Sequence, residues 1–239
     1  ANSYDRWRND NLTNRYQGVQ FGYTSAGRYT SWNDIWNYYG FKERDVLPGD
    51  YKYEDWNGDG EINGQDEHPF AFDQTPWLQF SLNAGLQWKN FDFNMLLQGS
   101  ALGSMEYKEP LHEIWGKNGG GALTQFLDRW HPVDPKADPY DPSTVWTSGH
   151  YAYTGRWAKN NSAFNRVSTA YLRLKSIELG YTFPKLKQIP NASLRVYANA
   201  YNLLTFTGVK FVDPEHPDDD LGRMYPLNKT YTLGVSLSF

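Results

Sequence analysis

The chain has 239 residues, with 23 basic against 27 acidic side chains, a formal net charge of −4 and no cysteine. That balance gives no electrostatic footprint for nucleic acid, and the lack of cysteine excludes disulfides and thiol chemistry, a usage that fits a bacterial envelope protein. Aromatic residues make up 17%, including 10 Trp and 18 Tyr, and so many amphipathic rings suit membrane interfaces and sugar-binding surfaces better than a buried core. No run of about 18 apolar residues is present, so no transmembrane helix is expected. The mean hydropathy of −0.74 is compatible with a barrel, whose strands are only half apolar. The first residues, ANSYDRWRND, hold no apolar stretch of the kind a signal peptide needs.

Residues 1–50 are polar, Asn-rich and aromatic. One or two short strands are expected between Val19 and Thr30, around Gly22 and Gly27. Ser31, followed by Asp34 three residues on, predicts a short helical turn through Asn37. Pro48-Gly49 predicts a turn. Next, DWNGDGEINGQD from Asp55 to Asp66 places Asp55, Asn57, Asp59, Asn63 and Asp66 at the oxygen-donor positions of an EF-hand calcium loop, with Gly60 at the sharp turn. Glu61 would offer its main-chain carbonyl. Asp66 replaces the usual Glu at the last position, so its shorter arm suits one oxygen rather than two. Without strongly helical flanks or a second copy, a fixed structural Ca2+ is the expectation, weighed against an ion-free Asn/Asp/Gly turn. Residues 1–77 are therefore expected to form an extracellular loop region carrying this calcium loop at 55–66.

Two-residue alternation then begins. Leu78, Phe80, Leu82, Ala84, Leu86 and Trp88 share one face of a strand over 78–88, and Phe91, Phe93, Met95 and Leu97 share one face of a second over 91–101. Strands of this length, joined by a tight turn at Lys89-Asn90, match a membrane-spanning hairpin. Residues 103–167 form a long connection without alternation, in which a short helix is expected over Leu123–Trp130. The third strand, 168–183, changes parity between Leu174 and Ile177, which predicts a bulge near Lys175-Ser176. A fourth strand spans 193–207, a long polar connection 208–228 follows, and 229–239 is the fifth. Connections alternate short and long, as periplasmic turns and extracellular loops do in outer-membrane barrels.

Catalytic chemistry finds no support. There is no nucleophile elbow, phosphate loop, zinc spacing or convincing carboxylate pair, and the five histidines are scattered over loops. Asp218-Asp219-Asp220 is a solvated acidic turn before it is a cation site. The chain is not expected to be an enzyme. Its candidate cargo contacts are loop aromatics: Trp146, Tyr151, Tyr153 and Trp157, together with Trp32, Trp36 and Tyr38.

Taken together, LPGDYKYEDWNGDGEIN, TQFLDRWHP, YLRLKSIELGYTFPK, LRVYANAYNLLTFT with its following DPE, and YPLNKTYTLGVSLSF resemble the C-terminal part of SusC-like TonB-dependent outer-membrane transporters. The resemblance covers roughly residues 40–239. It implies an all-β fold: the last five strands and long extracellular loops of a transmembrane β-barrel of about 22 strands with a plug inside. It also implies location in the outer membrane of a Gram-negative bacterium, contact with membrane lipid, energy from TonB, a SusD-like lipoprotein lid, and import of oligosaccharide, with peptide cargo in some relatives. Gly234, Leu237 and the terminal Phe239 stand where the outer-membrane insertion signal is expected. Five strands cannot close around a lumen, so the chain is expected to be a fragment whose remaining barrel and plug lie elsewhere in the same protein. The alternative is a secreted carbohydrate-binding β-sandwich with a structural calcium.

Overall fold

The computed structural model describes residues 18–38, 46–108, 111–112, 123–155, 158, 161–184, 192–216 and 224–239. Among them run β1 (Val19–Gly22), β2 (Ser25–Arg28), β3 (Tyr51–Tyr53), β4 (His68–Phe72), β5 (Leu78–Trp88) and β6 (Phe91–Ala101). These are followed by β7 (Ser104–Glu106), β8 (His131–Pro132), β9 (Trp146–Thr147) and β10 (Arg166–Ser168). The last three are β11 (Tyr171–Phe183), β12 (Ser193–Thr207) and β13 (Thr230–Ser238). One α-helix, α1, spans Trp32–Asn37. The acidic run at 218–220 lies outside the described residues.

The chain divides into two compact units. One holds 76–103, 168–216 and 224–239 and is a single antiparallel sheet in the order β13-β12-β11-β6-β5. Its strands form where apolar and small polar residues alternate, because only a two-residue period keeps one face apolar along an extended chain. The third expected strand is shorter than its alternation suggested. β11 starts at Tyr171, because Ser168 Oγ accepts the Ala170 N–H at 3.3 Å and Thr169 N–H turns aside to Gly103 O at 3.0 Å. The parity change is a bulge: Leu174 faces Leu97 and Leu204, Ser176 faces Leu96 and Tyr201, and Lys175 is left out of both ladders.

The other unit holds 1–75, 104–167 and 217–223, and its described part is built from short two-stranded pieces, β1 with β4, β2 with β3 and β8 with β9. Tyr23, Tyr51, Tyr53, Ile62, Ala152 and Ala158 form its largest buried cluster. The rings meet edge to face, with Tyr51 4.8 Å and Tyr53 5.6 Å from the centroid of Phe164. Arg28 lies 4.0 Å over the Tyr51 ring and donates to the carbonyls of Gly49 (2.9 Å) and His150, so three sequence-distant segments converge on one guanidinium. Ser31 caps α1 by accepting the Asp34 N–H at 3.2 Å, and Asp34 reciprocates to Thr30 N–H at 3.0 Å. The helix expected over 123–130 is a 3-10 turn at Thr124–Leu127.

Gly22 sits where β1 meets the segment at Asn161. A Cβ there would collide with the Asn161 main-chain carbonyl, which has no flexible end to yield. Gly22→Ala should destabilise the protein by about 1–3 kcal/mol, the cost typical of overpacking, and should break the bond from Tyr23 N–H to Asn161 O. Differential scanning calorimetry with limited proteolysis of the loop unit checks this.

Candidate functional site

The sheet presents two different surfaces. Register lines up cross-strand apolar rows: Trp88–Phe91–Tyr181–Val196–Val235, Leu86–Phe93–Leu179–Ala198–Leu233, and Leu82–Leu97–Leu174–Leu204. Most of these side chains are bare, Leu233 to 85% and Leu86 to 65%, while Phe93, Leu97, Leu174 and Tyr181 are half-buried among them. A soluble protein rarely exposes a contiguous apolar patch of this extent. β5 is 11 residues long, roughly 34 Å at about 3.4 Å per residue, and so ~24 Å tall at a tilt of about 45°, close to the ~25 Å apolar band of outer-membrane barrels. Gly99 lies within this face with the Phe80 ring laid over it, so a neighbouring aromatic covers the gap in the apolar surface. No helix among the described residues is long and apolar enough to cross a membrane, which says nothing of strands.

Aromatic rings mark the short-turn end of the band. Phe91 packs 4.7 Å from Tyr181, which packs 4.7 Å from Phe183, and Lys89 lies 4.8 Å over Trp88. Such rings with a nearby cation suit the level where hydrocarbon meets water.

The opposite face is polar. Arg195 there donates through Nε to Asp92 (3.1 Å) and through Nη2 to Asp92 and to Glu178 (2.6 Å). Gly180 leaves the space they occupy, since a Cβ would lie 2.6 Å from Arg195 Nη2. Gly234 does the same for the Tyr197 ring, so this glycine has a packing reason to be there whatever signal it also carries. Leu237 stands on the apolar face opposite Leu194, and Phe239 follows β13, 97% exposed.

At the long-connection end Arg173 is 1% exposed, bonded to Asp213 (2.5 Å), Glu215 and Thr205 Oγ1 (3.0 Å). The only signal in the sequence was the Asp213-Pro214-Glu215 triplet, and nothing there named Arg173 as its partner. A fully paired buried guanidinium pins the segment after β12 back onto β11.

In the 55–66 loop the acceptor side chains fold onto the backbone ahead of them. Asp55 accepts from Gly58 N–H (2.8 Å), Asp59 N–H (3.2 Å) and Gly60 N–H (2.8 Å), Asn57 from Asp59 N–H (2.9 Å), Asp59 from Glu61 N–H (2.9 Å) and Asn63 from Gln65 N–H (2.9 Å). Asp66 is fully buried and accepts from Trp56 (2.9 Å), Asn57 (3.3 Å) and Asn63 (2.7 Å), while the Trp56 ring stacks on His68 at 3.8 Å. Burial pushes the Asp66 carboxyl up from its ordinary value, against three N–H bonds that pull it down. Among the described residues no three His, Cys, Asp or Glu side chains gather as a metal-binding group. The oxygen donors fit a hard cation in kind, and a carboxylate or amide oxygen holding one N–H keeps a lone pair free. Asp66 braces the loop through two N–H groups on Oδ1 and one on Oδ2, which leaves one lone pair on Oδ2 for an ion.

The aromatic candidates separate. Tyr151 is buried against Phe126, with ring centroids 4.5 Å apart, and burial pushes its phenol up to about 12. That ring belongs to a core. Trp146 and Tyr153 are half-buried and meet edge to face at 5.3 Å. Trp157 lies outside the described residues. Three rings instead come together in the open: Trp32 stands 6.1 Å from Trp36 and 6.4 Å from Tyr140. Helical spacing pairs the two tryptophans, but nothing in the sequence joined them to Tyr140, 104 positions further on from Trp36.

A two-faced antiparallel sheet with an exposed apolar band is the wall of a transmembrane β-barrel, and the chain resembles the C-terminal part of SusC-like TonB-dependent transporters. It is 28% identical over 211 residues to TonB-dependent receptor P3 of Formosa agariphila, covering 82% of this chain and 19% of that protein. To TonB-dependent receptor SusC of Bacteroides thetaiotaomicron it is 26% identical over 210 residues, covering 87% of this chain and 19% of that protein. Among solved structures, the RagAB peptide transporter matches with a TM-score of 0.59 and 21% identity over 92% of this chain and 22% of that one. The chain thus spans about a fifth of the length of these relatives. No protein-family model matches it.

Charge on the two faces of one strand should have unequal cost. Leu233→Arg should destabilise the folded protein in vesicles by about 2–4 kcal/mol, against about 1 kcal/mol or less for the adjacent Thr232→Arg on the polar face. Urea unfolding in lipid vesicles measures both. Arg173→Ala should cost about 1–3 kcal/mol by removing the bonds to Asp213, Glu215 and Thr205 from a buried site, with faster protease cleavage between Val209 and His216.

Proposed function

We propose that this chain forms wall strands and extracellular loops of a TonB-dependent importer in the outer membrane of a Gram-negative bacterium. The observation that carries this is the bare apolar face of β5, β6, β11, β12 and β13, backed by a polar face with an arginine between two carboxylates. In a secreted sandwich that apolar face would be covered by a second sheet, and the other sheets among the described residues have two short strands each. The open edges of β5 and β13 are met by further strands of the same barrel, since lipid offers no hydrogen bonds. A plug fills the lumen, TonB supplies the energy, and a SusD-like lipoprotein covers the loops. The relatives are named as receptors and transporters, and this chain too acts by transport rather than catalysis.

Oligosaccharide is the cargo this reading favours. A peptide is the second reading, favoured by the structural likeness to a peptide transporter. The loop at 55–66 holds a structural Ca2+ through the oxygens of Asp55, Asn57, Asp59, Asn63 and Asp66 and the Glu61 carbonyl. The ion would cross-link the loop electrostatically and do no chemistry.

Because the sequence has no cysteine, single-cysteine labelling is clean. Leu233→Cys in outer-membrane fractions should react with a lipid-soluble maleimide and resist a water-soluble one, and Thr232→Cys should show the reverse preference. Equal reaction of both with the water-soluble reagent would refute the membrane reading. For calcium, terbium luminescence excited through Trp56 should rise on binding, be displaced by Ca2+ and be lost in Asp55→Asn/Asp59→Asn. Affinity should fall on acidification, beginning at higher pH than an ordinary carboxylate would dictate, because burial raises Asp66.

A further inference from the structure

We infer that Trp32, Trp36 and Tyr140 form a stacking platform for the ring of a neutral sugar. The inference rests on the importer reading for its context; its chemistry comes from the platform itself. Among the described residues of the loop unit, Tyr23, Tyr29, Tyr51, Tyr53, Phe126 and Trp130 are buried rings, whereas Trp36 is 65% and Tyr140 60% exposed. Both lean on Trp32 at tilts of 39° and 42°. Trp32 Nε1 is covered yet has no acceptor among the described residues, an unmet donor at the centre of the three rings.

The surroundings select the ligand. Tyr140 is fixed by a turn in which its N–H bonds Asp138 Oδ1 at 2.9 Å and Thr144 Oγ1 bonds the Asp138 carbonyl at 2.6 Å, so the ring is positioned before anything binds. Neither α1 nor the segment 138–144 contains Lys or Arg, while Asp138 and Asp141 flank Tyr140. Sulfated and uronic glycans are disfavoured by that charge. A peptide bound through its main chain needs free N–H groups or a strand edge. Here the N–H groups of Lys136, Ala137, Tyr140, Asp141, Ser143 and Thr144 are spent within the turns, and Pro135, Pro139 and Pro142 have none. Ring faces with a neutral-to-acidic polar rim remain, and the apolar face of a pyranose fits them.

The test uses the detergent-solubilised protein and a panel of neutral glucan, xylan and mannan oligosaccharides, followed by tryptophan fluorescence and calorimetry. At least one neutral oligosaccharide should bind, and Trp36→Ala and Tyr140→Ala should each weaken it roughly threefold to tenfold. Tyr140→Phe should leave binding unchanged, and sulfated or uronic counterparts should bind more weakly. Both target side chains are exposed, so the thermal transition should not move and a folding defect is excluded in the same samples. No binding by any neutral sugar, binding indifferent to both ring deletions, or binding of a tryptic peptide mixture lost in those variants would each overturn the inference. The cysteine-labelling result is independent of all three, so failure here leaves the membrane reading standing.

Discussion

In hydrocarbon nothing but another strand can take up the N–H and C=O groups of an extended chain, and every other property of the five-stranded sheet is built on that constraint. The ladders run from Trp88 opposite Phe91 to Ser193 opposite Ser238, broken only where Lys175 steps out of β11 and Asn202 and Leu203 step out of β12 beside it. Once the backbone is satisfied sideways, the side chains on the two faces are free to meet two different solvents. One face becomes rows of Leu, Val, Phe and Trp. The other holds an ion-paired arginine, amides and hydroxyls, with Gly180 and Gly234 cut away where larger neighbours must pass.

The loop unit obeys different rules. Among its described residues the strands have five residues or fewer, and no single ladder spans them. Order comes instead from rings packed edge to face and from polar side chains that close turns on themselves. Arg28 is the clearest case, reaching Gly49, His150 and the Tyr51 ring at once. Turns closed by Asp and Asn side chains recur through 55–66 and 134–144, where the chain has little apolar material to bury.

The sheet was legible because a strand between two solvents must write its orientation into every second residue. The hairpin at Lys89-Asn90, the bulge at Lys175 and the bounds of β12 all follow from that period. The loop unit was legible only where a motif fixes local geometry, as Ser31 with Asp34 does for α1. Its long-range partners were not, since Trp32 meets Tyr140, and Arg28 meets His150, by packing that leaves no spacing in the chain. Tyr151 shows the same limit from the other side. As a residue type it suited a cargo surface, yet the Phe126 ring beside it makes it core. Arg173 was unreadable for a related reason, because an arginine on a polar strand face signals nothing until Asp213 and Glu215 are seen to return to it.

The step at Lys175 gives β11 two grammars. Below it odd-numbered side chains face the apolar side, and above it even-numbered ones do, so Ile177 and Leu174 share a surface although their parity differs. Drawing that one residue into regular pairing would not lengthen the strand so much as turn its upper part over. Arg173 would then be swung toward hydrocarbon and Leu172 and Leu174 toward the lumen. A single residue with no partner in either ladder is thus the hinge of reading frame between the part of the strand that sits in the membrane and the part that anchors the loop.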